Sequence, residues 1–173
     1  YVDRISQSGL KLLAIDIHDL VNKNYYKVND PTQQTSAILQ FSENGSLLNI
    51  YHDEDMYVAR EFKIGLLSIE SALEVEDSEE SDIEREEPVY DSMLLEIQRS
   101  TDYFESTYGL GMIQKVVVFP QTPAIERMLN YLQNYVSFEF EFAAVQAVPK
   151  ALHESLDQHC FSAYCASLRG AGI

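Results

Sequence analysis

The sequence predicts an α/β fold with a mixed sheet and some α+β character, and three observations carry that prediction. Asn44-Gly45 sits between two alternating apolar runs, the strongest short-range signal for a hairpin. The second half alternates helical and strand patterns in the order α-β-α-β-α, the grammar of a sheet flanked by helices. Hydrophobic residues make up 46% of the 173 residues, enough to bury a sizeable core.

In chain order, residues 1–8 read as an amphipathic helix capped by Gly9, and Leu10–Ile17 (LKLLAIDI) as a buried strand. His18–Tyr26 continues as a short helix, and Asn29-Asp30-Pro31-Thr32 supplies the turn chemistry that ends it. A boundary falls there: residues 1–30 are expected to form the end of a preceding unit and residues 31–173 the main domain. Three strands follow, Ser36–Ser42, Ser46–His52 and Met56–Ile64, as an antiparallel meander.

Leu66–Leu73 is apolar enough to begin a helix, but it runs into residues 74–87 (EVEDSEESDIEREE), where nine acids face one arginine for a net charge of −8. Like charges at that density oppose compaction, which predicts a mobile, solvated loop or a frayed helix end. Pro88 suits the first turn of a long helix, Val89–Thr107, ending at Gly109. Gln114–Phe119 is a β-branched strand and Pro123 opens a helix to about Tyr135. Ser137–Phe142 alternates as a strand, and Leu156–Leu168 closes the chain as a helix.

Composition excludes several function classes. The net charge of −16 repels phosphate backbones and anionic headgroups, so nucleic acid is not an expected partner. No apolar run reaches membrane-spanning length and no signal peptide pattern occurs, which predicts no direct membrane insertion. Cys160 and Cys165 are five apart, outside redox and zinc spacings, as expected in a reducing cytoplasm. With His153 and His159 they match no structural zinc pattern, so no metal site is expected, and the acidic run lacks the order and glycine of a calcium loop. No G-x-S-x-G or Walker loop is present, and no histidine has a carboxylate partner at short range, so no catalytic residue is assigned. Position 1 is Tyr and opens in mid-helix, from which a longer parent protein is expected.

Three stretches carry a family resemblance: Gly9–Ile17 (GLKLLAIDI), Leu95–Ser106 (LEIQRSTDYFES) and Ala163–Gly170 (AYCASLRG). With a meander ending at Ile64-Gly65, they resemble the PilM family of actin-like proteins from type IV pilus assembly, most closely its MshI branch from the mannose-sensitive haemagglutinin (MSHA) pilus. The resemblance implies an actin-like fold of the ASKHA, ribonuclease H-like class. Residues 1–30 would then end the first actin-like domain and residues 31–173 would form the second. It also implies a cytoplasmic scaffold, peripheral to the bacterial inner membrane, whose partners are the cytoplasmic tail of a single-span pilus-assembly protein and other platform proteins.

Actin-like ATPases place an Asp-Ile-Gly turn in the hairpin opening the second domain, where backbone N–H groups reach the phosphates. The matching residues here are Gln40, Ser42 and Gly45, without the metal-side Asp. Where the family carries a Ser-Gly-Gly-Gly loop, this chain has Phe119-Pro120-Gln121-Thr122-Pro123, and proline removes an N–H donor and fixes φ. The resemblance therefore implies a vestigial nucleotide site around Gln40, Ser42, Gly45, Pro120 and Thr122, with Glu96 and Arg99 on the long helix bordering it. Glu96 and Arg99 also read as a plain surface ion pair. The expected function is a pseudo-ATPase scaffold that is not an enzyme and has no cofactor. The alternative is an ATP- and Mg-binding assembly switch whose site forms only with the first domain. An unrelated interaction domain is a third reading, and sheet topology separates it: the 36–64 meander must join strands 114–119 and 138–142 in one mixed sheet.

Overall fold

In the computed structural model, residues 2–9, 17–29, 35–53, 55–74, 83–144 and 160–169 are described. Five strands form one sheet: β1 (Ser36–Phe41), β2 (Ser46–His52), β3 (Asp55–Phe62), β4 (Lys115–Phe119) and β5 (Glu139–Phe142). Their spatial order is β3-β2-β1-β4-β5. The meander is antiparallel, whereas β4 runs parallel to β1 and β5 parallel to β4. The 36–64 meander and the two later strands thus share one mixed sheet, as the actin-like expectation required.

Side-chain alternation divides the sheet into two faces. Ala37, Leu39, Phe41, Val116 and Val118 point to a core shared with α3 (Leu66–Glu74), α4 (Ile83–Tyr108) and α5 (Pro123–Leu132). Ile38, Val117 and Phe119 point to a second core with α2 (His18–Asn29) and α6 (Phe161–Ser167). Every residue of β1 is buried, which is why it reads as a near-continuous apolar run. Here α2, assigned by sequence to the segment before residue 31, packs on the same sheet: Tyr25 lies 5.4 Å from the Phe161 ring and Tyr26 stacks on Tyr51 at 5.0 Å. The N-terminal α1 (Val2–Gln7) ends at Gly9 with φ +77, as its capping role predicted. Residues 10–16 of the expected strand and the turn at 30–34 lie outside the described residues, and Ile17, expected to end that strand, is exposed just before α2.

Several boundaries differ from the sequence reading: α2 runs on to Asn29, α5 ends at Leu132, β5 begins at Glu139, and the acidic segment departs furthest. Residues 83–87, expected within a solvated loop or frayed helix end spanning 74–87, lie in the first turns of α4, and Glu74 closes α3; residues 75–82 lie outside the described residues. Glu and Arg are good helix formers, and elongating an existing helix is far easier than nucleating one. Pro88 therefore sits inside α4 instead of in its first turn, where it leaves the Glu84 carbonyl without its i+4 donor. Beyond it, Tyr90, Met93, Ile97 and Phe104 are buried at helical spacing, while Tyr103, read by sequence as part of that stripe, is 43% exposed. Ser100 and Thr101 are also buried and return their hydroxyls to the Glu96 and Gln98 carbonyls at 2.7 and 2.9 Å.

The second core resists ionisation. Burial pushes the Tyr25 phenol up from 10.0 to about 12 and the Cys165 thiol from 9.0 to about 12. Each group keeps its proton in the folded chain to a higher pH than in the unfolded one. The stability they contribute is therefore full below about pH 9 and lost as pH rises towards 12. Urea midpoints measured from pH 7 to 11 should stay level up to about pH 9 and then fall. In the native protein at pH 8, a thiol reagent should modify exposed Cys160 and leave buried Cys165 intact.

Candidate functional site

Parallel β1 and β4 end on the same edge of the sheet, so the loops that follow them, 42–45 and 120–122, meet there. Open α/β sheets bind ligands outside the carboxyl ends of such strands. The 42–45 loop is held from below by Gly65. Leu66 N–H donates to the Ser42 carbonyl at 2.9 Å and Leu67 N–H to the Glu43 carbonyl at 3.0 Å, so the first turn of α3 grips the hairpin. A Cβ on Gly65 would meet the Gly45 nitrogen and lie 2.5 Å from the Glu43 oxygen. Backbone against backbone leaves nothing flexible to move aside.

A depression of about 400 Å³ opens over this hairpin, lined among others by Gln40, Ser42, Asn44, Gly45, Ser46 and Lys63. A second, of about 360 Å³, shares Glu61, Phe62 and Lys63 with it and reaches Leu95 and Glu96 on α4. The structure thus brings together Gln40, Ser42 and Gly45, with Glu96 next door. Arg99, Pro120 and Thr122 line neither depression. Lys63 and Ser46 were not singled out by sequence reasoning, and Asn44 only as part of the hairpin turn. A lysine two residues before a glycine, at the end of a strand, was the available signal.

Several candidates already have partners. Gln40 lies on the face towards α2 and α6: its carbonyl accepts from Asn22 Nδ2 at 3.2 Å and its amide donates to Ser162 Oγ at 3.1 Å. Asn22 also donates to Asn49 Oδ1 at 3.0 Å, making a buried polar bridge between sheet and helices. Ser42 Oγ donates to the Gly45 carbonyl at 2.9 Å, closing the hairpin loop on itself. Thr122 is the N-cap of α5, its oxygen accepting from Ile125 N–H at 3.2 Å, with Pro123 opening the helix. Pro120 is buried and follows Phe119 through a cis peptide bond. Glu96 and Arg99 pair at 3.5 Å on the surface of α4, a contact worth a few tenths of a kcal/mol. Ser46 Oγ, by contrast, is buried with no hydrogen-bond partner among the described residues, and its residue lines the depression. Among the described residues, no three His, Cys, Asp or Glu side chains gather at metal-binding range, and no helix is long and apolar enough to cross a membrane.

No protein-family model and no curated protein sequence matches the chain. Solved structures do. A PilM-PilN type IV pilus biogenesis complex aligns with 98% of this chain and 56% of its own at 12% identity, with a TM-score of 0.62. The apo pSK41 ParM protein aligns with 86% of this chain and 47% of its own at 15% identity and a TM-score of 0.50. The fold is actin-like. The ethanolamine utilization protein EutJ from Carboxydothermus hydrogenoformans adds a third match, over 80% of this chain and 52% of its own at 11% identity and a TM-score of 0.50. At these identities the likeness is one of fold, and the chain spans about half the length of the structures it matches. In actin-like terms, the hairpin depression sits at the carboxyl edge of the sheet, and Gly65 sets the position of its floor.

Two substitutions test this description. Gly65→Ala should destabilise the protein by about 1–3 kcal/mol in urea unfolding, because the new Cβ forces the hairpin off α3. Gln40→Leu should cost about 1–3 kcal/mol, because it removes the hydrogen bonds that tie β1 to Asn22 and Ser162. A cost near zero at Gly65 would mean that the hairpin is not gripped.

Proposed function

We propose that the chain is a non-catalytic scaffold of type IV pilus assembly, a PilM-family protein of the MshI, MSHA-pilus branch. In this reading it works at the cytoplasmic face of the bacterial inner membrane and helps to hold the cytoplasmic tail of a single-span pilus-assembly protein among other platform proteins. The observation that carries the pilus assignment is the alignment of 98% of the chain with a PilM-PilN complex at a TM-score of 0.62. The motifs GLKLLAIDI, LEIQRSTDYFES and AYCASLRG support it independently.

The loss of nucleotide chemistry rests on the β4–α5 loop. Pro120 and Pro123 offer no N–H and Pro120 is buried, so neither can donate to a phosphate as the residues of a glycine loop would, while the Thr122 oxygen is engaged as the acceptor that caps α5. On the hairpin side, Gln40 has both ends of its amide engaged with α2 and α6 and cannot act as the acid that a magnesium shell needs.

A second reading, an ATP-binding assembly switch, is favoured by one observation. The 400 Å³ depression combines Lys63, a Gly45 turn and the unpartnered Ser46 hydroxyl, which is chemistry that suits a phosphate. Calorimetric titration of the parent protein separates the two. Under the scaffold reading, a peptide of the partner's cytoplasmic tail gives binding heat and Mg-ATP gives none. Micromolar Mg-ATP binding that is lost in Lys63→Ala would establish the switch instead.

A further inference from the structure

At the opposite end of α4, a shelf of aromatic rings faces outward. A β-bulge creates it: the register passes from Ile50–Val58 to Tyr51–Met56, leaving Tyr57 as the extra residue. Its ring turns edge-on to Phe104 at 5.9 Å and to Tyr108 at 5.0 Å, and Tyr103 meets Tyr108 at 6.2 Å. Phe104 belongs to the core, but Tyr103 and Tyr108 are 43% and 39% exposed. Large exposed tyrosines in one contiguous cluster are the composition of protein interfaces, where they supply contact area at little entropic cost.

The surroundings select the occupant. The chain's own Arg60 guanidinium lies 5.1 Å from the Tyr103 ring centroid, so one face of that ring is taken by a planar cation and a partner's guanidinium has Tyr108 and the free edge of Tyr103 to pack on. The last turn of α4 carries no basic residue, so the negative end of a 26-residue helix is left uncompensated beside Tyr108. Asp102 and Glu105 on the same helix add carboxylates, while Asp53 at the β2–β3 turn lies 3.4 Å from His52, whose ring packs 6.2 Å from that of Tyr57. Against them stand Arg60 and Arg99, the latter paired with Glu96, while Lys23 is held by Asp55 at 3.1 Å. A second copy of this chain would bring a further −16 and the same rim, and an anionic lipid or nucleic acid would be repelled likewise.

We propose that the Tyr57–Tyr103–Tyr108 shelf docks an arginine-bearing segment of a partner protein, with guanidinium groups on the tyrosines and the carboxylates around the end of α4 as counter-charges. The site lies away from the hairpin depression and is independent of any nucleotide.

The test is fluorescence anisotropy of a labelled nonapeptide of alternating arginine and leucine, titrated with the full chain in 0.15 M salt. A matched peptide with glutamate for arginine serves as the control. The arginine peptide should bind and the glutamate peptide should not. Tyr103→Ala, an exposed position, should weaken binding about threefold, and Tyr103→Ala with Tyr108→Ala about tenfold. Glu105→Lys should weaken it comparably, while neutralising Glu76, Glu79 and Glu80 to Gln should change it less than twofold. Thermal melts establish that each variant folds, and if the double variant does not, Tyr103→Ala and Glu105→Lys decide. Three results overturn the proposal: no binding of the arginine peptide, loss that follows the Glu76–Glu80 charges and not the tyrosines, or a dimer in sedimentation that Tyr103→Ala dissolves.

Discussion

The structure depends first on the parallel pairing of β1 with β4, which registers Ser36–Gln40 against Lys115–Phe119 in the middle of the sheet. Both strands are buried on two faces, so their backbone groups have no access to water and must find each other. Burial of side chains such as Leu39 and Val116, at about 1.5–3 kcal/mol each, holds the helix layers onto that pair. Everything functional is arranged relative to it. The pairing sets the 42–45 hairpin beside the 120–122 loop at one end, and the helices it recruits bring α4 across the face to the tyrosine shelf at the other.

Once the central strands are buried, polar residues within them must be satisfied inside the protein. Gln40 and Asn49 lie on the second face, and both are served by Asn22 of α2, with Ser162 of α6 completing the bridge. A glutamine in that place reads by sequence as the remnant of a metal-binding acid. In the fold it is a connector, because two helices cover the face on which it sits. Its amide engages a donor and an acceptor at once, whereas a charged Asp there would need a cation or solvent to offset its burial.

The two ends of the sheet differ in character. At the carboxyl edge, the hairpin is fixed by backbone contacts to Gly65 and the first turn of α3, and the β4–α5 loop is stiffened by Pro120, Pro123 and the Thr122 cap. Rigidity of this kind suits a surface that holds a shape more than one that closes on a ligand. At the far end, a bulge sets Tyr57 half-buried against the core, and Tyr103 and Tyr108 around it stay exposed. The scaffold reading and the docking shelf are compatible for that reason: both rest on fixed surfaces.

By itself, the sequence determined the local elements and the class of fold. The meander was legible because strand alternation and Asn44-Gly45 are local signals, and the start of α5 because Pro123 is one too, although the capping role of Thr122 was not. The actin-like topology was legible only through motif resemblance. Residue patterns do not state that β4 lies beside β1, since that pairing joins residues nearly eighty positions apart. Tertiary structure alone decided the roles of the candidate residues. Which face Gln40 takes, that Gly65 underlies Gly45, that Lys63 joins the depression and that Arg99 does not, all follow from how layers stack. The start of α4 also lay beyond sequence reading, because helix elongation through the charged residues 83–87 outweighs a repulsion that composition alone had set against it.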